Sequence, residues 1–125
     1  MTPINVEDYR RLAQRRLPRM VFDYLEGGAG DERALRRNLA AFEAVTLSPH
    51  RLIDVSRRDP SVRLFGHDQP LPFVIAPTGL NGVLWPDGDV ALARVAREAG
   101  IPFALSTASN ATIEEVAERA GGELW

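Results

Sequence analysis

The sequence lacks several residue types on which much protein chemistry depends. Its 125 residues include no cysteine, which excludes a disulfide framework and a thiolate metal site. All 15 basic residues are arginines, so lysine chemistry is excluded within these residues. No apolar run approaches the ~18 residues of a membrane-spanning helix, and the polar N-terminal segment has no signal-peptide core. We therefore expect a cytoplasmic location.

Charge and histidine are also sparse in the forms that would indicate a partner or a general base. Residues 1–63 carry 12 arginines against nine acidic groups, and residues 64–125 carry three against eight. Because acidic groups interleave with the arginines, the positive field is weak, and we predict no nucleic-acid partner. The two histidines, His50 and His67, lie away from the predicted strand ends, where a base is expected. We interpret both as surface or structural residues, and no metal-ligand spacing is present.

Three short helices are predicted over residues 1–45, as a helical region ahead of the main fold. Asn5 is placed to cap the first helix, and Pro18 ends it and opens the second. Gly27-Gly28 ends the second helix, with a left-handed cap expected there. Asp31 is predicted to cap the third helix, whose apolar residues have helical spacing. These apolar residues are Leu35, Leu39 and Phe42.

Residues 46–72 have a less regular pattern. Val62 and Leu64 alternate with polar residues as in a strand, and residues 66–68 have the composition of a turn. This predicts a hairpin that would close one end of a barrel. Residues 45–47 alternate in the same way and predict another short strand.

Residues 73–125 repeat a strand–helix pattern. Apolar runs at 73–76 and 101–105 predict two buried strands, and residues 124–125 indicate the start of a third. Repeated βα units of this kind are typical of a parallel α/β fold. A (β/α)8 barrel needs eight units, so the sequence predicts the N-terminal part of a TIM barrel preceded by a small helical region.

An amphipathic helix follows each of the two strands. The first, near residues 88–99, is ended by Gly100, and the second begins at a capping box of Thr112 and Glu115. The apolar stripe of each helix is expected to face the core. The stripes comprise Leu92, Val95, Ala96 and Ala99 in the first helix and Ile113, Val116, Ala117 and Ala120 in the second.

Small residues follow both predicted strands, at the edge where parallel α/β proteins bind ligands. Pro77, Thr78 and Gly79 come after the first strand, and Ser106 comes after the second. Small residues let the backbone approach a flat or phosphorylated ligand, and the alternative is ordinary turn and cap chemistry. Tyr24 has two interpretations of its own, a core position or a ligand contact.

Four segments together indicate a family. They are Phe22–Ala29 (FDYLEGGA), Ile75–Gly79 (IAPTG), Pro86–Asp89 (PDGD) and Leu105–Ser109 (LSTAS). Their order and spacing resemble those of the FMN-dependent 2-hydroxy acid dehydrogenases and oxidases, over essentially the whole chain. The runs Pro77–Trp85 and Leu105–Asn110 are most similar to the branch that acts on mandelate, an aromatic 2-hydroxy acid.

The resemblance implies a (β/α)8 barrel with FMN at the carboxyl ends of its strands. The residues implied to contact FMN are Ala76, Pro77, Thr78, Gly79 and Ser106. The Tyr24 hydroxyl is implied to bind the substrate carboxylate, as a neutral donor can. Ala108 stands where glycolate-oxidising relatives have tryptophan, which implies space for a bulky or aromatic substrate. Gly79, where oxidases often have alanine, favours a dehydrogenase that passes electrons to a quinone or similar acceptor.

The implied reaction is oxidation of an L-2-hydroxy acid to the 2-oxo acid by hydride transfer to FMN. In the family, the histidine that accepts the hydroxyl proton, the arginines that hold the carboxylate and a lysine near the flavin come from later strands. We therefore expect no catalytic residue in this chain, which resembles the N-terminal third of such an enzyme and is predicted to be inactive alone. A homo-oligomer and peripheral attachment to the inner membrane through a later segment are implied for the full-length protein.

Two other functions stay open at this stage. One is a truncated, non-catalytic remnant or interaction module. The other is a different FMN-binding barrel with a phosphate site, against which the segment around Tyr24 argues. Coding sequence beyond Trp125 would separate the first alternative from an enzyme fragment.

Overall fold

Residues 2–125 are described by a computed structural model, which divides the chain into two units, Met1–Asp54 and Val55–Trp125. The first unit is helical. The second combines helices with a hairpin and short parallel strand contacts. The described residues therefore form a mixed helix and sheet structure, in which no barrel is closed. None of their helices has the length and apolar character needed to span a membrane.

The Met1–Asp54 unit contains the three predicted helices. They are α1 (Val6–Arg16), α2 (Arg19–Glu26) and α3 (Arg33–Ala44). Asn5 caps α1 as predicted, because its Oδ1 accepts a hydrogen bond of 2.8 Å from the backbone N–H of Asp8. Pro18 occupies the N-cap position of α2, where its missing N–H has no consequence.

One predicted cap conformation and one predicted cap position in this unit are wrong. Gly27 ends α2 as predicted, but it is extended (φ −71°, ψ 142°) and not left-handed, whereas Gly30 is left-handed (φ 55°). Asp31 does not cap α3, since Glu32 occupies the N-cap position with φ 55° and makes no side-chain cap. The physical reason is a tight turn, closed by a 3.0 Å bond from the Glu32 N–H to the Ala29 carbonyl, which moves the helix start by one residue.

The predicted hairpin is present in the Val55–Trp125 unit. Strand β1 (Val62–Leu64) pairs antiparallel with β2 (His67–Gln69). The predicted turn at 66–68 is wrong by one residue, because Phe65 (φ 49°) and Gly66 (φ 88°) make the connection. Two left-handed residues match the twist of a two-residue hairpin. Residues 45–47, also predicted as a strand, belong to no strand.

Parallel contacts join the three predicted apolar runs. Phe103 bridges Ile75 on one side and Leu124 on the other, both in parallel orientation. The Ile75 N–H donates to the Pro102 carbonyl at 3.0 Å, and the Trp125 N–H donates to the Phe103 carbonyl at 2.9 Å. The segment around Phe103 is therefore central, although each strand is reduced to a single bridge residue where a longer strand was predicted.

Three helices accompany these bridges: α4 (Asn81–Leu84), α5 (Gly88–Ala99) and α6 (Ile113–Ala120). The one-turn helix α4 lies in a segment predicted as a loop. The core lies between α5, α6 and the central segment. It consists of Val90, Ala93, Ala96, Phe103, Val116 and Ala120. Of the predicted stripes, Ala96, Val116 and Ala120 are buried, whereas Val95 and Ile113 are 57% and 65% exposed.

Polar contacts fix α6 against the start of α5. The Arg119 guanidinium donates to both carboxylate oxygens of Asp87, at 2.6 and 3.1 Å, and to Glu115 at 2.7 Å. Arg97 donates to the Ala120 carbonyl at 2.7 Å, which satisfies an acceptor at the end of α6. These contacts join the last turn of α6 to the N-cap of α5 and to the last turn of α5.

Candidate functional site

The loops that follow Ile75 and Phe103 meet at the carboxyl edge of the parallel contacts. The Leu80 N–H donates a 3.0 Å hydrogen bond to the Ala108 carbonyl, which joins the two loops directly. We call residues 76–80 the first strand-end loop and residues 106–111 the second strand-end loop. Their meeting follows from the parallel pairing, because carboxyl ends of neighbouring parallel strands lie at one edge.

Gly79 is the point of closest approach between the strand-end loops. A Cβ atom built on Gly79 would lie 3.0 Å from the Ala108 Cβ and 3.8 Å from the Ser106 Oγ. Only glycine fits this approach without displacement of its neighbours. The structure thus brings together Gly79, Ser106 and Ala108, three residues that the sequence predicted for one site.

Ser106 is half-buried and orders its own loop. Its Oγ accepts a 3.1 Å hydrogen bond from the Ala108 N–H. Within residues 2–125 its hydroxyl donates to no acceptor, so its proton can serve a ligand. Ser106 also lines an open depression of about 410 Å³ that extends to Leu124 and Trp125.

The remaining residues of the first strand-end loop are accessible. Ala76, Pro77 and Thr78 are exposed, and none of them has a long side chain. The Thr78 side chain is directed by Asn81, because its Oγ1 donates to the Asn81 Oδ1 at 3.0 Å. This loop therefore offers a short stretch of open backbone beside Ser106.

A buried polar network lies beneath both strand-end loops. The Asn81 Nδ2 donates to the Thr78 carbonyl at 3.1 Å and to the Asp89 Oδ1 at 2.7 Å. The Ser109 hydroxyl donates to the other carboxylate oxygen, Asp89 Oδ2, at 2.6 Å, and accepts from the Ala111 N–H at 2.9 Å. Asp89 is only 2% exposed and Asn81 9% exposed. A carboxylate in the first turn of α5 is also stabilised by the positive end of the helix.

Sequence reasoning missed this network. The PDGD segment was noted only for its family resemblance, and Asn81 was not noted as a separate residue. A usable signal exists in Gly88, because a Cβ there would lie 2.7 Å from the Asn81 carbonyl oxygen. A glycine directly before an acidic residue at a helix start is consistent with this close packing of α4 on α5.

Tyr24 and the histidines lie elsewhere. Tyr24 is on α2 in the Met1–Asp54 unit, and its side chain is 62% exposed within the described residues. His50 and His67 are both exposed, and His67 lies in β2 and not in the predicted turn. Both histidines are therefore surface residues of the described chain.

The sequence matches the model of the FMN-dependent dehydrogenase family over residues 13–125. It is 57% identical over 121 residues to (S)-mandelate dehydrogenase from Pseudomonas putida, covering 97% of this chain and 31% of that protein. It is 43% identical over 118 residues to L-lactate dehydrogenase from Caulobacter vibrioides, covering 94% of this chain and 31% of that protein. A crystal structure of (S)-mandelate dehydrogenase, a monotopic membrane protein, superposes with a TM-score of 0.92 at 55% identity, covering 100% of this chain and 34% of that chain.

The chain belongs to the FMN-dependent dehydrogenase family, whose cofactor is FMN. The family resemblance drawn from the four sequence segments is thereby confirmed, as is its similarity to mandelate dehydrogenase. The chain spans about a third of the length of the curated relatives it matches.

The residues of the strand-end loops fit FMN. A planar ring needs open backbone, and the exposed segment Ala76–Thr78 provides it without a bulky side chain. The Ser106 hydroxyl, with its proton unused among the described residues, supplies a donor for a ring heteroatom. Gly79 allows the close approach of the two loops, which brings the open backbone and the Ser106 hydroxyl to one edge.

Proposed function

We propose that this chain supplies the flavin-binding edge of an enzyme that oxidises an L-2-hydroxy acid to the 2-oxo acid. The observation that carries the proposal is the convergence of Gly79, Ser106 and Ala108 at the meeting point of two parallel strand ends. The family match supports it, because FMN-dependent dehydrogenases share this sequence. In the whole protein we propose a (β/α)8 barrel, of which residues 73–125 form the first βα units and residues 46–72 cap one end.

FMN would be held by both strand-end loops. When bound, it accepts the hydride from the carbon that carries the substrate hydroxyl. The backbone of Ala76, Pro77, Thr78 and Gly79 would lie along the flavin ring, and the Ser106 hydroxyl would donate to it. Because Ala108 N–H already donates to Ser106 Oγ, the serine is oriented before the cofactor arrives.

Substrate binding is assigned to Tyr24 and Ala108. The Tyr24 hydroxyl is a neutral donor at the tip of an exposed side chain, suited to a carboxylate. The base that accepts the hydroxyl proton and the arginines that bind the carboxylate are proposed to come from later parts of the barrel. We therefore propose no turnover by residues 1–125 alone.

The substrate is proposed to be bulky or aromatic, as mandelate is. Ala108 is exposed and its side chain is a single methyl group, so no bulky side chain at this position opposes a large substrate group. The 57% identity to (S)-mandelate dehydrogenase supports this choice over small acids, although the L-lactate dehydrogenase relative also matches at 43%. Because a solved (S)-mandelate dehydrogenase is a monotopic membrane protein, we also propose peripheral membrane attachment of the whole protein. A homo-oligomeric dehydrogenase at the inner membrane, with an otherwise cytoplasmic location, is proposed from the family resemblance of the sequence.

A chimera tests the flavin site. Residues 1–125 replace the matching segment of Pseudomonas putida (S)-mandelate dehydrogenase, and FMN affinity is measured by titration of the apoprotein. We expect FMN to bind, and Ser106→Ala to weaken binding about 3- to 10-fold, the value of one hydrogen bond. The matched control is Thr107→Ala, which removes a neighbouring exposed hydroxyl. A folded chimera that does not bind FMN would contradict the proposed function and favour a non-catalytic module. Equal affinities for the two variants would contradict the role assigned to Ser106.

The same chimera tests the substrate size. We expect Ala108→Trp to lower kcat/KM for mandelate by ~10-fold or more relative to glycolate, because an indole ring would occupy the volume proposed for the substrate side chain. Ala108→Ser is the control, since it changes polarity with little volume. If the tryptophan variant uses mandelate as the parent does, Ala108 is not part of the substrate pocket.

A further inference from the structure

The carboxylate of Asp89 is the one charged group buried beneath the two strand-end loops within the described residues. It is 2% exposed, and its hydrogen-bond partners among the described residues are the uncharged Asn81 amide and Ser109 hydroxyl. A buried carboxylate is costly unless its oxygens are satisfied, so a position of this kind indicates a specific role.

The two oxygens of this carboxylate serve different loops. Oδ1 accepts from Asn81, whose amide also holds the Thr78 carbonyl and receives the Thr78 hydroxyl. Oδ2 accepts from Ser109, whose hydroxyl in turn accepts the Ala111 N–H. One arm therefore ends in the first strand-end loop, and the other ends in the second.

Donors and acceptors in the network have a single consistent direction. The Asn81 amide uses both of its hydrogens, one on the Thr78 carbonyl and one on Asp89. The Ser109 hydroxyl donates to Asp89 because an ionised carboxylate only accepts, while the hydroxyl oxygen accepts the Ala111 N–H. Both arms thus donate to position 89, where an asparagine would offer one acceptor oxygen in place of two, so that at least one arm would be lost or reversed.

We propose that Asp89 is a positioning residue that sets the register of the first strand-end loop against the second strand-end loop. The proposal rests on the function proposed above. Asp89 touches neither ligand. It acts through Thr78 on the first strand-end loop, which holds four of the five residues assigned to FMN. Through Ser109 it acts on the second strand-end loop, which carries Ala108, and so it controls the distance between the flavin and the space for the substrate side chain.

Asp87 provides a matched control from the same turn. It is an aspartate two residues away, it is exposed, and it pairs with Arg119 on α6 at 2.6 Å. Asp87→Asn therefore perturbs the same helix start and the same charge but leaves both strand-end loops bonded to Asp89. A general loss of stability would appear in both variants, whereas a positioning effect appears only in Asp89→Asn.

Hydrogen exchange of the chimera without FMN gives a readout independent of activity. In Asp89→Asn we expect the amides of Leu80 and Ala111, which donate to the Ala108 carbonyl and the Ser109 hydroxyl, to exchange ~10-fold faster or more. The amide of Phe103, in the core, keeps its protection. In Asp87→Asn all three amides keep theirs. Equal exchange in the two variants, or a uniform loss across the core, would overturn the proposal.

Steady-state kinetics of the chimera with FMN give the second readout. We expect Asp89→Asn to lower kcat/KM for mandelate ~10- to 100-fold, as a small misplacement of reacting groups does. We also expect the ratio of kcat/KM between mandelate and lactate to change. This ratio is independent of the folded fraction, so a change in it reports on the geometry of the site and not on stability. An unchanged ratio beside faster loop exchange would also overturn the proposed link to substrate choice.

Ser109→Ala decides the matter if Asp89→Asn does not fold. It removes only the second arm, so faster exchange at Ala111 and a shifted substrate ratio are expected, with FMN affinity unchanged. A ratio equal to that of the parent would overturn the proposal. If the parent chimera binds FMN but neither variant shows these effects, this proposal fails and the proposed function stands. If the parent chimera folds and does not bind FMN, the proposed function itself fails.

Discussion

The two units of the chain differ in how they are stabilised. In Val55–Trp125, six buried apolar residues from two helices and a central strand segment form one cluster. In the described part of Met1–Asp54, Phe22 is the only buried apolar residue. Met20 on α2 and Phe42 on α3 are large apolar residues that are 80% and 85% exposed.

The helices of the first unit depend on local interactions. Asn5 caps α1, Glu7 pairs with Arg11 one turn later at 3.3 Å, and Arg10 joins Glu26 of α2 at 2.7 Å. Exposed pairs of this kind contribute ~0–1 kcal/mol each, and helices of 8 to 12 residues are marginal without tertiary packing. The first unit therefore carries the proposed substrate contact, Tyr24, on weakly packed helices, whereas the second unit carries the buried core.

The largest effect expected from this comparison is a core truncation. Phe103→Ala should lower the free energy of unfolding of the 125-residue chain by ~3–5 kcal/mol, because Phe103 is 2% exposed at the centre of the cluster. Phe42→Ala should change it by less than ~0.5 kcal/mol, as surface substitutions do. Urea denaturation followed by helix circular dichroism measures both. Similar losses for the two phenylalanines would show that the units are not stabilised differently.

Sequence predicted the elements of the fold better than their faces. Caps and stop signals act locally, so Asn5 and Pro18 were placed correctly from neighbouring residues alone. The buried face of α5 runs through Val90, Ala93 and Ala96, whereas the predicted stripe included Val95, which is exposed. Periodicity shows that a helix is amphipathic, but the contacts that select the buried face come from distant segments.

The candidate site was predictable where it depends on strand ends. Thr78, Gly79 and Ser106 were indicated because small residues after apolar runs lie at the carboxyl edge of parallel strands. The network through Asn81 and Asp89 was not, because it depends on how α4 turns between two loops. The start of α4 at the left-handed Leu80 (φ 58°) has no local sequence signal of its own, since leucine rarely adopts that conformation.

The next effect tests whether the weakly packed unit contributes to function. In the chimera, Tyr24→Phe should lower kcat/KM for mandelate ~10- to 100-fold, because it removes one hydrogen bond to a charged group. FMN affinity and unfolding free energy should stay as in the parent, since the ring remains. Tyr9→Phe on α1 is the matched control, because Tyr9 and Tyr24 are the only tyrosines and are both 62% exposed. Equal kinetics in the two variants would remove Tyr24 from the substrate site.

The smallest effect concerns the ion pair at the edge of the core unit. Hydrogen bonds from Arg119, together with its charge, lower the pKa of Asp87 below its ordinary value of 3.8. A carboxyl group whose pKa is lower in the folded chain stabilises that chain above the unfolded pKa, and the stabilisation is lost as the pH falls through the folded pKa. Asp87→Asn should therefore lower the melting temperature slightly at neutral pH, and the difference from the parent should disappear in acid.

Melting temperatures of the 125-residue chain across the acid range measure this effect. Asp68→Asn is a suitable control, because Asp68 is an exposed aspartate of the same unit whose carboxylate lies 4.0 Å from Arg63, beyond hydrogen-bond reach. Its substitution should leave the pH dependence of melting almost unchanged. If Asp87→Asn and Asp68→Asn give the same curve, the bidentate contact with Arg119 does not stabilise the packing of α6 on α5. Burial around Phe103 would then account for the stability of this unit without a contribution from the Asp87–Arg119 ion pair.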